Sequence, residues 1–175
     1  MRSFSVRDLT IAAMVAALYT VMGYFANIFG LNFLVFQCRF AEALTVLPFL
    51  FPAAAPGLVV GCFLTNLLSP FGPVDWLFGT LATAIAAWLT MKMPKWYLAA
   101  LPPILVNALI LPPIWAWAEV GAVNPAFWTA CGFNAVTFIP GEALACYVLG
   151  TLLLFALPKV PVLRPFASEQ KLAHL

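Results

Sequence analysis

Residues 39–58 read RFAEALTVLPFLFPAAAPGL, and this stretch decides how the surrounding chain can fold. It opens with an arginine and a glutamate three residues apart, continues as an apolar run and then breaks at Pro52 and Pro56. An α-helix over residues 39–51 would cover only about 20 Å, whereas the hydrocarbon core of a bilayer is about 30 Å thick. The segment therefore either crosses a thinned or tilted region or forms one arm of a re-entrant hairpin.

The composition assigns the chain to membrane proteins. Of its 175 residues 65% are hydrophobic and only 8% are charged, and the mean hydropathy is +1.03. A soluble domain carries about 25% charged residues. The net charge of +2, with no basic stripe, argues against a nucleic-acid partner.

Helix-breaking residues divide the chain into six apolar segments and a polar tail. This pattern predicts one all-α domain with six transmembrane helices. The segments lie at about 8–28, 39–51, 56–68, 75–91, 96–118 and 125–157, and the tail at 158–175 is polar enough to leave the membrane. Segments two and three are the short ones. Two proline pairs predict a kinked or partly unwound fifth segment, which is tolerated where backbone is buried in protein or lines a cavity.

The basic residues predict the orientation of the bundle. With six crossings, every lysine and arginine except Arg39 falls on one side, namely Arg2, Arg7, Lys92, Lys95, Lys159, Arg164 and Lys171. Because cytoplasmic loops carry the excess of lysine and arginine, both termini are predicted to be cytoplasmic.

The same topology gathers the internal polar residues in the outer half of the bundle. Ionisable groups at membrane depth are costly, usually face the interior and are functional candidates. We therefore expect a pocket open to the outside, and the polar candidates are Arg39, Glu42, Asn66, Asp75, Asn107, Asn134 and Glu142.

Three of the four charged candidates have a structural alternative. Arg39 and Glu42 share a helix face and either neutralise each other or contact a ligand. Asp75 is either a helix cap or part of the site. Glu142 lies deep and has no basic neighbour in sequence, which makes it the strongest single binding candidate.

Aromatic and small residues suggest two further surfaces. Trp115 and Trp128 fall at the outer interface, where they either join an aromatic belt or stack on a planar ligand. Small residues at four-residue spacing let helices approach closely, either inside the bundle or against a partner protein. They form a ridge on the first segment, comprising Ala12, Ala13, Ala16 and Ala17, and the third segment opens with Gly57 and Gly61.

The sequence lacks the usual signs of an enzyme. The one histidine, His174, is in the tail, the four cysteines are far apart, and no glycine-rich phosphate loop occurs. We expect no catalytic residue and no metal site. Any energised transport would then take its energy from a partner or an ion gradient.

Several motifs in order resemble the QueT family of queuosine-precursor transporters. R-x-x-E-A-L-T-V-L-P precedes P-G-L, then N-L-L-S-P and D-x-x-x-G-x-x-A-T, and PGEALACYVLG is similar to the family's final helix. The resemblance runs from the first segment to the sixth. It implies the substrate-binding S component of an energy-coupling-factor (ECF) transporter in a prokaryotic cell membrane.

The resemblance also implies partners and a ligand. The partners are a membrane coupling subunit, on which the alanine ridge would dock, and two cytoplasmic ATPases that hydrolyse ATP; this chain itself binds no cofactor. The ligand is a 7-deazaguanine such as 7-aminomethyl-7-deazaguanine, or queuine. One carboxylate can accept both donors of a guanine-like edge. The predicted binding set is Arg39, Glu42, Asn66, Asp75, Asn107, Trp115, Trp128, Asn134 and Glu142, with Glu142 or Glu42 at the donor edge, Asp75 as a further acidic contact and Asn107 or Asn134 at the ring oxygen.

Three other functions stay open at this point. The chain could serve as an S component for a different vitamin, since one fold can host many ligands. It could be an ion-coupled carrier or channel that works alone. It could also be an assembly subunit that transports nothing.

Overall fold

The computed structural model describes residues 5–30 and 39–175, and every regular element in these ranges is helical. This confirms the predicted all-α class. The α-helices are α1 Val6–Ile28, α2 Ala54–Asn66, α3 Pro73–Lys92, α4 Leu101–Val120, α5 Pro125–Ala143, α6 Thr151–Ala156 and α7 Glu169–Leu172. A 3₁₀ helix spans Phe40–Phe49, a π-helical stretch, Leu144–Gly150, joins α5 to α6, and 3₁₀ turns occupy Trp96–Leu98, Leu157–Lys159 and Arg164–Phe166.

Four helical stretches within these ranges are long and apolar enough to cross a membrane. They are Val6–Ile28, Pro73–Lys92, Trp96–Val120 and Pro125–Lys159, matching predicted segments one, four, five and six. Segments two and three appear as the shorter apolar helices Phe40–Phe49 and Ala54–Asn66. The chain is thus a multi-pass helical membrane protein, and the count of six crossings stays a prediction.

The stretch that opened the sequence folds as an unusually long 3₁₀ helix through the middle of the bundle. Runs of 3₁₀ helix longer than three or four residues are uncommon, but the rise of about 2 Å per residue lets ten residues cover about 20 Å. All but the first of its residues are buried. It contacts α1, α2, α3 and α4 as well as the π-helical stretch.

Helices α1 and α2 pack through glycine and run parallel to each other. A Cβ added to Gly57 would overlap the carbonyl oxygen of Ala12, and one added to Gly61 would lie 2.8 Å from Cβ of Tyr19. Because Gly23 meets Thr65 further along, contacts advance in the same direction on both helices. The 3₁₀ helix between them must therefore bring the chain back across the bundle.

The basic residues and the tail meet at one end of the bundle. The side chain of Lys171 donates to the carbonyl oxygen of Met93 and lies 5.0 Å from the ring centroid of Phe49, and the backbone N–H of Ser168 donates to the Leu50 oxygen over 2.8 Å. The tail therefore packs against this end of the bundle. The elements that begin or end here carry Arg7, Lys92, Lys159 and Arg164, and Lys95 directly precedes the 3₁₀ turn Trp96–Leu98. Arg2 is outside the described residues.

Candidate functional site

A cavity of about 440 Å³ opens at the end of the bundle opposite to the tail and to the described basic residues other than Arg39. Its volume lies in the range of small-molecule sites, about 300–1,000 Å³. The ends of α1, α2 and α4 meet there with the beginnings of the 3₁₀ helix and α3 and with the middle of α5. The polar lining residues are Tyr19, Asn27, Arg39, Glu42, Thr65, Asn66, Ser69, Asp75, Glu119, Asn134 and Thr137, and the aromatic ones include Phe71, Trp115 and Phe133.

Most of the residues predicted for binding line this cavity. Those on its wall are Arg39, Glu42, Asn66, Asp75, Trp115 and Asn134. Trp128 does not line it and is 66% exposed on α5, as a residue of an interfacial belt would be. Glu142 and Asn107 are buried and also do not line it. Among the described residues, no group of three or more His, Cys, Asp or Glu side chains could hold a metal ion.

Glu42 is the central polar group of the cavity wall. It is only 2% exposed, its Oε1 accepts a 2.6 Å hydrogen bond from the Tyr19 hydroxyl, and Nη1 of Arg39 lies 3.9 Å from the same oxygen. Its other oxygen, Oε2, is buried with no hydrogen-bond partner among the described protein atoms. Because buried polar atoms are nearly always hydrogen-bonded, this oxygen is suited to accept from a ligand.

Arg39 pairs with Glu42 but also packs on aromatic rings. Its guanidinium carbon lies 5.6 Å from the Trp115 ring centroid and 5.7 Å from that of Phe138, within the range of cation–π contacts. Among the described residues that line the cavity, Arg39 is the one cation, and the acids are Glu42, Asp75 and Glu119. Acidic side chains therefore outnumber basic ones on the cavity wall, which favours a cationic or donor-rich ligand.

Asp75 links three elements at the cavity mouth. Its Oδ1 accepts from the indole N–H of Trp115 over 2.8 Å, and its Oδ2 accepts from the Ser69 hydroxyl over 2.6 Å. The N-cap of α3 is Gly72, so the interpretation of Asp75 as the cap is wrong. The side-chain amide of Asn66 in turn donates to the Asp75 carbonyl oxygen over 3.0 Å.

Glu142 and Asn107 form a second polar layer behind Glu42. The amide of Asn107 donates to Glu142 Oε1 over 2.7 Å, while Glu142 Oε2 and Asn107 Oδ1 have no partner among the described protein atoms. The thiol of Cys146 lies 4.0 Å from Glu142 Oε1 and 3.5 Å from the Glu42 carbonyl oxygen, which joins the two layers. Glu142 is thus placed behind the wall that Glu42 forms.

Sequence reasoning missed Tyr19 and Phe71. Tyr19 follows Ala12 and Val15 on the buried face of α1, so the helical period held a usable signal for it. Phe71 lies between α2 and α3 and stacks on Trp115 with ring centroids 5.7 Å apart and planes 16° from parallel. No local pattern indicated that contact, because it depends on how the loop packs against α4.

The fold and the cavity define a class: a multi-pass helical membrane protein with a polar cavity of small-molecule size at one end of its bundle. The chain belongs to the QueT transporter family, whose model matches residues 9–159. This confirms the resemblance drawn from the motifs, and it implies transport of a small molecule rather than catalysis. No curated protein and no solved structure was found to match.

Substituting two tyrosines of α1 tests the hydrogen bond between Tyr19 and Glu42. The Tyr19 hydroxyl donates to a buried carboxylate, whereas that of Tyr24 donates to the carbonyl oxygen of Leu64 at an exposed position over 3.0 Å. Hydrogen bonds to charged groups contribute about 1.5–3 kcal/mol and those between neutral groups about 0.5–1.5 kcal/mol. Tyr19→Phe should therefore lower the free energy of unfolding in mixed micelles more than Tyr24→Phe. Equal losses would contradict the assigned role of Tyr19.

Proposed function

We propose that this chain is the substrate-binding S component of an ECF-type transporter for a queuosine precursor, a 7-deazaguanine such as 7-aminomethyl-7-deazaguanine, or queuine. Family membership supports a transporter for such a precursor. The observation that carries the ligand assignment is that Glu42, which lines an acid-rich cavity, has a buried oxygen, Oε2, with no hydrogen-bond partner among the described protein atoms. A guanine-like edge presents the ring N–H and exocyclic NH₂ donors that this oxygen requires.

The remaining ligand groups have matching partners on the wall. The ring carbonyl oxygen would accept from Arg39 or from the amide of Asn134, whose present acceptor is Glu119 at 3.3 Å. A ligand ammonium would offset the negative excess of the cavity, and the flat face would lie against Trp115. Glu142 and Asn107 lie one layer deeper, so in this proposal Glu42 makes the first contact with the donor edge. A site built on such hydrogen bonds rejects analogues that leave its groups unpaired.

The proposal includes six crossings with both termini in the cytoplasm of a prokaryotic cell. The parallel direction of α1 and α2 supports it, because the 3₁₀ helix must then return the chain between them. The basic residues at one end favour the cytoplasmic side for that end. The cavity at the opposite end would open to the outside, where a scarce nutrient is captured.

The proposed partners are a membrane coupling subunit and two cytoplasmic ATPases, which would hydrolyse the ATP; this chain would bind no cofactor. The alanine ridge of α1 divides into two faces. Ala12 is buried, and both Ala12 and Ala16 meet glycines of α2, whereas Ala13 and Ala17 are exposed. The docking role proposed for the ridge therefore falls to Ala13 and Ala17.

Ligand binding by the purified chain tests the proposed substrate. Calorimetry should give a Kd below micromolar for 7-aminomethyl-7-deazaguanine or queuine and no comparable binding of riboflavin, thiamin or biotin. Glu42→Gln should weaken binding by about tenfold or more, because its amide presents a donor to the ligand's donors.

Glu119→Gln is the matched control, since Glu119 lines the same cavity at an exposed position. It should weaken binding less than Glu42→Gln does. Tighter binding of another vitamin would assign the chain to a different substrate. Net uptake into liposomes without ATPases would favour a carrier that works alone.

Substitution of the exposed alanines tests the proposed docking face. Ala13→Trp or Ala17→Trp should abolish co-purification with the coupling subunit while leaving ligand affinity intact, because both side chains point away from α2. Val136→Trp is the matched control, as Val136 is 69% exposed on α5. If Val136→Trp disrupts the complex equally, or the alanine variants lose ligand affinity, the assigned face is wrong.

A further inference from the structure

The Asp75 carboxylate is fully occupied by protein donors at the cavity mouth. Trp115 donates to one oxygen over 2.8 Å and Ser69 to the other over 2.6 Å, and the side chain is 3% exposed. Glu42, which lines the same cavity, by contrast has one oxygen with no partner among the described protein atoms. A carboxylate whose two oxygens already accept short hydrogen bonds is placed to hold its donors in position.

The two donors are connected to the aromatic residues of the cavity, because Trp115 is one of them and Ser69 bonds to the backbone of Phe71. The bond to Asp75 fixes the indole of Trp115, whose ring also meets Phe138 edge-on with centroids 5.5 Å apart. The Ser69 hydroxyl oxygen accepts from the backbone N–H of Phe71 over 3.2 Å, and Phe71 stacks on Trp115. The loop then turns at Gly72, whose φ of 58° is one that glycine readily adopts.

We infer that Asp75 is a positioning residue: by holding Trp115 of α4 and Ser69 of the loop together, it sets Trp115 and Phe71 as the aromatic wall on which a planar heterocycle stacks. This deepens the proposed function and rests on it for the planar shape of the ligand. It replaces the direct acidic contact that the sequence predicted for Asp75. Glu42 then accepts hydrogen bonds from the ligand's donor edge, and the aromatic wall stacks on its flat face.

The chemistry of the two donors distinguishes a positioning role from a charged contact. Trp115 needs only an acceptor, which an asparagine oxygen supplies. The Ser69 hydroxyl can turn to accept from an asparagine amide, because hydroxyl oxygens both donate and accept. Asp75→Asn therefore preserves both links without the charge, whereas Asp75→Ala removes both. A ligand ammonium held by the Asp75 charge would lose its partner in either variant.

The first experiment measures the Kd of the full chain in nanodiscs for 7-aminomethyl-7-deazaguanine. Asp75→Ala should weaken binding by about tenfold, the order of one lost base–aromatic stacking contact, and Asp75→Asn should recover most of that loss. Residues that act through one another give non-additive effects. Asp75→Ala should therefore add little to the loss already caused by Trp115→Phe. Equal losses in Asp75→Ala and Asp75→Asn, or additive losses in the double variant, would overturn the inference.

A second experiment needs no ligand and so separates this inference from the proposed substrate. Asp75→Ala should shift the tryptophan emission of the chain, and the shift should vanish in a Trp115→Phe background. Should Asp75→Ala fail to fold, Ser69→Ala removes the links of Ser69 to Asp75 and to the Phe71 backbone but keeps the bond between Asp75 and Trp115. It should produce a smaller shift that also depends on Trp115. An unchanged spectrum refutes the positioning role. A Trp115-dependent shift in a chain that binds no deazaguanine upholds it and refutes the proposed substrate instead.

Discussion

The burial of the Glu42 carboxylate is the constraint on which the rest of the cavity depends. Moving a carboxylate out of water costs several kcal/mol unless partners compensate it. Tyr19 from α1 and Arg39 at the start of the 3₁₀ helix supply that compensation on one oxygen. The thiol and hydroxyl of Cys146 and Thr45 bond the Glu42 backbone oxygen, so the residue is fixed from both sides. The other oxygen, Oε2, has no partner among the described protein atoms, and it belongs to a residue that lines the cavity.

The long 3₁₀ helix places that carboxylate inside the bundle. Because a 3₁₀ helix rises about 2 Å per residue, its ten residues span about 20 Å. An α-helix would need roughly 13 residues for the same distance. Its centre is buried among apolar neighbours, and a Cβ added to Gly150 of the π-helical stretch would lie 2.9 Å from Cγ2 of Val46. The apolar half of this segment thus holds the bundle together, while its polar beginning faces the cavity.

Sequence reasoning found the class, the helices and the end of the bundle at which polar residues gather, because hydropathy and breakers are local signals. The i, i+3 spacing also indicated that Arg39 and Glu42 would meet. It could not show which oxygen of Glu42 has no protein partner, nor that Glu142 lies behind it, since both depend on how the 3₁₀ helix packs against α1 and against the π-helical stretch that follows α5. The hydrogen bonds of Asp75 were unpredictable for a similar reason, because its partners Trp115 and Ser69 come from separate parts of the chain.

In the proposed binding mode, Glu42 accepts hydrogen bonds from the donor edge of a planar ligand, and the ligand's flat face stacks on the aromatic wall. A structure of the chain with 7-aminomethyl-7-deazaguanine bound tests it most directly. The predicted result is a ligand N–H within hydrogen-bond distance of Glu42 Oε2, with the ring against Trp115 and Asp75 still bonded to Trp115 and Ser69. A ligand outside this cavity, or one that leaves Glu42 Oε2 unpaired, would contradict it.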